Sequence, residues 1–394
     1  MLACLAVLGT VTGCTTTGAS SYGWLEGRNP AYQRALPTGE VQVRWARDLD
    51  SIFLHTSLYK GLYVPVEPAR AALSATLDRI YVGTRAGTLY AFTSRRREVF
   101  RYDAGAGIEA APAVDSARGE LYLADASGAV HALDAQTGKR LWRVDGVGGV
   151  GNAPVLTADA VYIVTENDRV VALSRKDGSA LWTYRREPHA GFSVAGHAGL
   201  TLSEGRLLTG FTDGVVAALD ASDGSVLWET DTSVDVPDRG GVAARLVDVD
   251  TTPVVVGGSV YVASFDGGLY TLSFSNGTVE ARDAARTGVT GITASRRWLI
   301  LASAQTGLTV LDRADGKVYW ARTLPAGAPT DAVVTRRGVV LVGQSRGSLI
   351  GFELDTGREV GRIESGNGFA AAAVADGAVG AVLTNGGRLL VLAL

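Results

Sequence analysis

Cysteine is almost absent from this chain. Of its 394 residues only Cys4 and Cys14 carry a thiol, so no disulfide staples the rest of the molecule. Lysine is scarce, the formal net charge is −3 and no long basic run occurs. The positive footprint that nucleic acid demands is therefore missing, and no nucleic-acid partner is expected. The apolar opening, residues 1–13, falls short of the roughly 20 residues that a spanning helix needs. Metal chemistry also lacks its ligands. His55, His131, His189 and His197 show no metal spacing. No cluster of oxygen ligands for calcium stands out, and no Ser/His/Asp constellation can be assembled. These absences predict no enzyme, no metal and no cofactor.

Glycine is abundant, with 50 residues, and 46% of the chain is apolar. That much glycine excludes an all-helical array and suits many short strands joined by tight turns. One pattern repeats eight times: a small residue, a β-rich run, an Asp/Gly turn and usually Trp. The clearest copies run from Gly128 through Asp134 and Gly138 to Trp142, and from Gly214 through Asp220 and Gly224 to Trp228. Gly87, Gly128, Asp168, Gly214, Gly267, Thr306, Gly347 and Gly387 hold the first position, at spacings of 41, 40, 46, 53, 39, 41 and 40. A period near 40 residues with this content is a propeller blade.

Each unit parses as four strands. Around Gly267 they are Thr252 to Val256, Ser259 to Ala263, Leu269 to Ser273 and Thr278 to Ala281, separated by Gly and Asn turns. Trp142, Trp182, Trp228 and Trp320 end the fourth strand, with Phe100 near that position in the first unit. A ring recurring there is expected to pack between neighbouring sheets. Ala281 and Gly361 stand in its place in the fifth and seventh units, which predicts weaker blade contacts. The eighth unit stops after its third strand, while Val41 to Trp45 is an orphan strand upstream. Pairing the two removes an exposed edge. The expected fold is all-β: an eight-bladed β-propeller over 41–394, built of four-stranded antiparallel blades, with the last blade closed by the N-terminal strand.

Residues 1–13 read as a secretory signal, and Val11-Thr-Gly-Cys14 resembles a bacterial lipobox, which implies diacylglyceryl attachment at Cys14. No Lys or Arg precedes the apolar run, a departure from the usual signal. Residues 14–40, with their Thr, Ser and Gly, read as the lipidated Cys and a tether. Residue 15 is Thr rather than Asp, which by resemblance to enteric lipoproteins implies the outer membrane, on its periplasmic face.

The Leu-Asp-x-x-x-Gly-x-x-x-Trp turns resemble the quinoprotein-type propeller repeat. Within that superfamily the run from Arg245 through Asp248 and Asp250 to Val255 resembles the BamB family of outer-membrane assembly lipoproteins. The resemblance implies a non-enzymatic scaffold that binds the POTRA domains of the barrel-inserting subunit BamA, alongside other Bam components. It also implies a monomer within that complex, assisting outer-membrane protein folding. In that family the partner-binding residues align with the loop Phe192 to Gly196, including Val194, and with Asp248 and Asp250; Arg245 lies beside the pair. The family's Leu-rich, Arg-bearing first loop is changed here to Phe192-Ser-Val194-Ala195-Gly196.

Spacing points to the same region. Most connections from a blade's Trp to the next unit's first position take 25 to 27 residues, but Trp182 to Gly214 takes 32 and Trp228 to Gly267 takes 39. Long adjacent loops on a rigid scaffold are where binding residues gather. A third long connection, Trp45 to Gly87, carries Leu54, Leu58, Tyr59, Leu62 and Tyr63 and is expected to cap the ring or touch a partner. Two other readings stay open: a quinone-dependent dehydrogenase-like propeller, and a periplasmic propeller that binds another envelope protein or polysaccharide. The dehydrogenases are longer and carry cofactor-binding insertions and often adjacent Cys, which this chain lacks.

Overall fold

The computed structural model describes residues 41–49, 69–187, 197–236, 246–366 and 368–394. Within them lie 32 strands in eight antiparallel sheets of four. The first blade is β2 (Ala71–Ser74), β3 (Arg79–Val82), β4 (Thr88–Phe92) and β5 (Glu98–Asp103). The second to seventh blades follow as β6 to β9 (Ala113–Val144), β10 to β13 (Val155–Arg185), β14 to β17 (Thr201–Asp231), β18 to β21 (Val254–Asp283), β22 to β25 (Val289–Arg322) and β26 to β29 (Val333–Ile363). The eighth takes β30 (Val374–Asp376), β31 (Val379–Leu383) and β32 (Arg388–Ala393), and its outer place is filled by β1 (Gln42–Asp48).

The expected closure is present and longer than the sequence indicated. β1 runs antiparallel to β32 from Gln42 opposite Ala393 to Asp48 opposite Arg388. The innermost strands β2 and β30 lie against each other, so the ring is complete. The two middle strands of each blade are almost wholly buried and carry the core, because both their faces meet neighbouring sheets.

The aromatic at the fourth strand joins one blade to the next. Trp142, Trp182, Trp228 and Trp320 donate their indole N–H to the carbonyls of Arg175, Ala221, Phe274 and Leu354 in the following blade, at 2.8, 3.1, 3.0 and 2.7 Å. Each ring covers the next blade's turn glycine. A Cβ at Gly178, which sits at φ +75°, would stand 2.8 Å from Trp142 and 2.6 Å from Val144, so only glycine fits beneath the ring. The register confirms that Ala281 and Gly361 hold the same position, opposite Thr271 and Gly351, just before the bulge that recurs in each of these outer strand pairs. Beyond Ala281, nothing lies within 4 Å of a Cβ at Gly316, the open contact expected there.

At the seventh blade the gap is filled from elsewhere. Val41, 2% exposed, packs into the core between the seventh and eighth blades and stands 2.9 Å from where a Cβ at Gly351 would be. At the other side of the closing blade, Trp45 donates to the Ser94 carbonyl at 2.8 Å and Arg47 pairs with Glu98 at 2.5 Å. The N-terminal strand thus seals two seams.

Candidate functional site

The long connection after the fourth blade first makes a 3-10 turn at Ser233–Asp235. Tyr270 of the fifth blade donates to Asp235 at 3.2 Å, and Arg282 lies 3.4 Å from the same carboxylate. From Leu246 the chain runs along the seam between the fourth and fifth blades toward the axis. Val247 and Val249 are buried there; the Val249 N–H donates to the Phe211 carbonyl at 3.2 Å. Phe265 and Asp266, in the turn of the fifth blade, donate their N–H groups to the carbonyls of Asp248 and Leu246. Thr251 closes the run, accepting from the Ala263 N–H at 2.8 Å. The alternation Val247, Asp248, Val249, Asp250 therefore lies in a packed seam rather than in an open surface loop.

Asp248 is fully buried beside Asp250. Burial, then the charge of Asp248 and the hydrogen bond between the two carboxyls, pushes Asp250 up to about 8, with Asp168 adding to the same effect. Asp168 is itself buried and raised by desolvation, although the Thr212 hydroxyl and N–H donate to it. Across the seam Asn152 donates to the His197 carbonyl at 2.6 Å, and the Gly199 N–H donates to the Thr252 hydroxyl at 2.9 Å. These bonds tie the third, fourth and fifth blades together where the two long connections return to the ring. Among the described residues no group of three or more His, Cys, Asp or Glu is arranged to hold a metal ion.

Asp250 also borders a cavity of about 470 Å³ at the centre of the ring, lined from seven of the eight blades. Arg70, His197, Asp250, Thr330 and Ala370 all line it, and each stands 17 residues before its unit's first position. The repeat alignment holds that signal, but reading the repeat for its shared residues passes over a position that varies from blade to blade.

Of the sequence-predicted residues, Asp248 and Asp250 come together, inside the seam and at the cavity. Cys14, Phe192, Val194 and Arg245 lie outside the described residues, as do Leu54, Leu58, Tyr59, Leu62 and Tyr63. His131 is fully buried. It bonds Asp125 at 2.9 Å and the Tyr102 hydroxyl at 2.8 Å, the packing role expected of it.

A sequence profile described as outer membrane protein assembly factor BamB matches residues 115–322, more than half of the chain. The BamB of Shewanella oneidensis is 26% identical over 259 residues, 66% of this chain and 64% of that one, so the match spans less than two thirds of that relative. The BamB of Burkholderia pseudomallei is 26% identical over 368 residues, covering 90% of each chain. Among solved structures, BamB from Moraxella catarrhalis superposes with a TM-score of 0.74 at 21% identity, over 90% of this chain and all of that one, a likeness of fold. With its eight quinoprotein-type blades and the match across its central blades, this chain belongs to the BamB family of outer membrane protein assembly factors.

Proposed function

We propose that the chain is a non-enzymatic scaffold lipoprotein of the outer-membrane β-barrel assembly machinery. It is held by a lipid on Cys14 at the periplasmic face of the outer membrane. It binds the POTRA region of a BamA-like subunit, together with other Bam components, and assists folding and insertion of outer-membrane proteins. The observation that carries this reading is family membership combined with two adjacent long interblade connections, which flank the fourth blade and are anchored by one buried polar seam.

In this reading Phe192, Val194 and Arg245 supply contact with the partner. Asp248 and Asp250 lie where their loop re-enters the ring, so they fix the angle at which that loop leaves the scaffold. An apolar centre with a charged neighbour is the usual composition of a binding hot spot, and truncating such an anchor costs about 2 kcal/mol or more.

The test is co-purification of a tagged chain with the barrel subunit. Phe192→Ala with Val194→Ser should lower recovery at least tenfold, roughly the 1.4 kcal/mol equivalent of that ratio. Asp134→Ala with Asp312→Ala, at turns of the short-loop second and sixth blades, should leave recovery unchanged. Loop variants that bind like the wild type, with turn variants that fail, would move the interface elsewhere on the ring. A bound quinone in the absorbance spectrum of the purified protein would replace the scaffold reading with the enzyme one.

A further inference from the structure

The axial cavity is lined by two side chains of opposite charge that no group among the described residues satisfies. Arg70 enters from the first blade. Its backbone N–H donates to the Glu109 carbonyl at 3.1 Å, while its guanidinium makes no hydrogen bond or ion pair among the described residues. Asp331 enters from the seventh blade and is enclosed nearly all round, yet its carboxylate borders the cavity and accepts no hydrogen bond among the described residues. Its Oδ1 fills the space that a Cβ at Gly291 would take, so glycine at that position of β22 makes room for the carboxylate. Desolvation raises the Asp331 pKa and Arg70 alone opposes the rise, so the two feel each other across the cavity without pairing. Asp250 adds a buried oxygen, Oδ2, that has no hydrogen-bond partner among the described residues.

We propose that this cavity binds a small zwitterion of the amino-acid or short-peptide class, with its ammonium on Asp331 and its carboxylate on Arg70. The volume, about 470 Å³, lies within the range of roughly 300 to 1,000 Å³ usual for small-molecule sites. A guanidinium fork matches a carboxylate in two parallel bonds, and an ammonium supplies the donors that a buried carboxylate lacks. Phe265, Val289 and Ile292 form the apolar part of the wall, where a side chain of the ligand rests. A simple anion would satisfy Arg70 and leave Asp331 and Asp250 facing it. An apolar ligand would leave Arg70 and Asp331 unpaired and the Asp250 oxygen unsatisfied, a cost that buried polar and charged groups do not tolerate.

The experiment is calorimetric titration of the purified full chain with L-alanyl-L-alanine, its N-acetyl form and its C-terminal amide. The free dipeptide should bind one to one, and blocking either end should weaken it at least about tenfold. Asp331→Asn should erase the preference for a free ammonium, and Arg70→Met the preference for a free carboxylate, each leaving the other preference intact. Arg70→Lys, which keeps the charge, should restore part of the affinity. No binding up to about 10 mM, or equal binding of all three peptides to the unmodified protein, overturns the proposal. So does calcium chloride binding that depends on Asp331 where the dipeptide does not bind. Should Asp331→Asn fail to fold, the three peptides on the unmodified protein and the Arg70 variants still decide.

Discussion

Removing the indole of Trp45 tests whether the ring is held shut by its first strand. The side chain reaches from the closing blade to the first blade, where its N–H donates to Ser94 and its ring meets Phe92 edge-on with centroids 5.9 Å apart. A fully buried Trp→Ala change costs roughly 3 to 5 kcal/mol, and Trp45 is only partly buried, so its packing share is nearer about 2. The hydrogen bond adds about 1 kcal/mol and the ring pair about another 1. Trp45→Ala should therefore destabilise by about 2 to 4 kcal/mol and Trp45→Phe by about 1. Leu141→Ala, at a side chain 52% exposed, should stay within about 0.5. Deleting residues through Leu49 should go further, because it uncovers β32, whose residues Leu389 to Leu392 are all buried in the closed ring. Urea unfolding read by far-UV circular dichroism measures the order of these effects, and sedimentation velocity measures the association an uncovered edge invites. A Trp45→Ala midpoint equal to that of Leu141→Ala, with a deleted chain that stays monomeric, would refute closure by this strand.

Further outcomes follow from the same geometry. Gly178→Ala forces a left-handed residue to carry a Cβ against Trp142 and Val144, and should cost at least about 1 to 2 kcal/mol by urea unfolding. Asp250 keeps its proton in the folded chain to about pH 8, whereas the unfolded chain releases it near pH 4. Its contribution to stability is therefore complete below about pH 4 and is lost as pH rises toward 8. Asp250→Asn should flatten the decline in melting temperature across that window. Burial lowers the His131 pKa, so its contribution is present above about pH 6.5 and is lost as the medium is acidified below that value. His131→Gln should weaken that acid loss, measured in the same melts. Cys14→Ala should move the protein from the membrane fraction to the soluble one. An unmodified Cys14 in the intact mass of the membrane-bound protein would overturn the lipid anchor.

The ring was legible because a blade is local: each turn, strand and terminal Trp lies within one period, and the same physical solution is written eight times. Closure was legible as a remainder, a last blade one strand short and a first strand without a blade. Two features were written differently. In the fifth and sixth blades the left-handed residue of the turn is Gly268 or Gly307, one place after the first position at Gly267 or Thr306, and a Cβ there would meet the carbonyl of Asp283 or Arg322. The stretch through Asp248 and Asp250 was expected in an open loop, since its length exceeds the period; its Val-Asp-Val-Asp alternation is instead that of an extended segment with one side packed. The axial charges escaped notice for a different reason. Arg70, Asp331 and Asp250 are far apart in sequence, and only the closed ring turns their separate blades toward one cavity.

Val41 and Trp45 serve both seams of the eighth blade, and this sets the order in which the molecule can form. β1 is made first, yet its partner β32 is made last, more than 300 residues later. Chain entropy is a small part of the difficulty: loop closure grows as the logarithm of length, so joining these ends costs only about 2 kcal/mol more than joining the ends of one blade. Time is the larger part, since such a non-local pairing comes late in folding. Until then seven finished blades form an open crescent that ends in an apolar strand, with its closing strand on the far arm. That crescent is the aggregation-prone species on the route to the native ring.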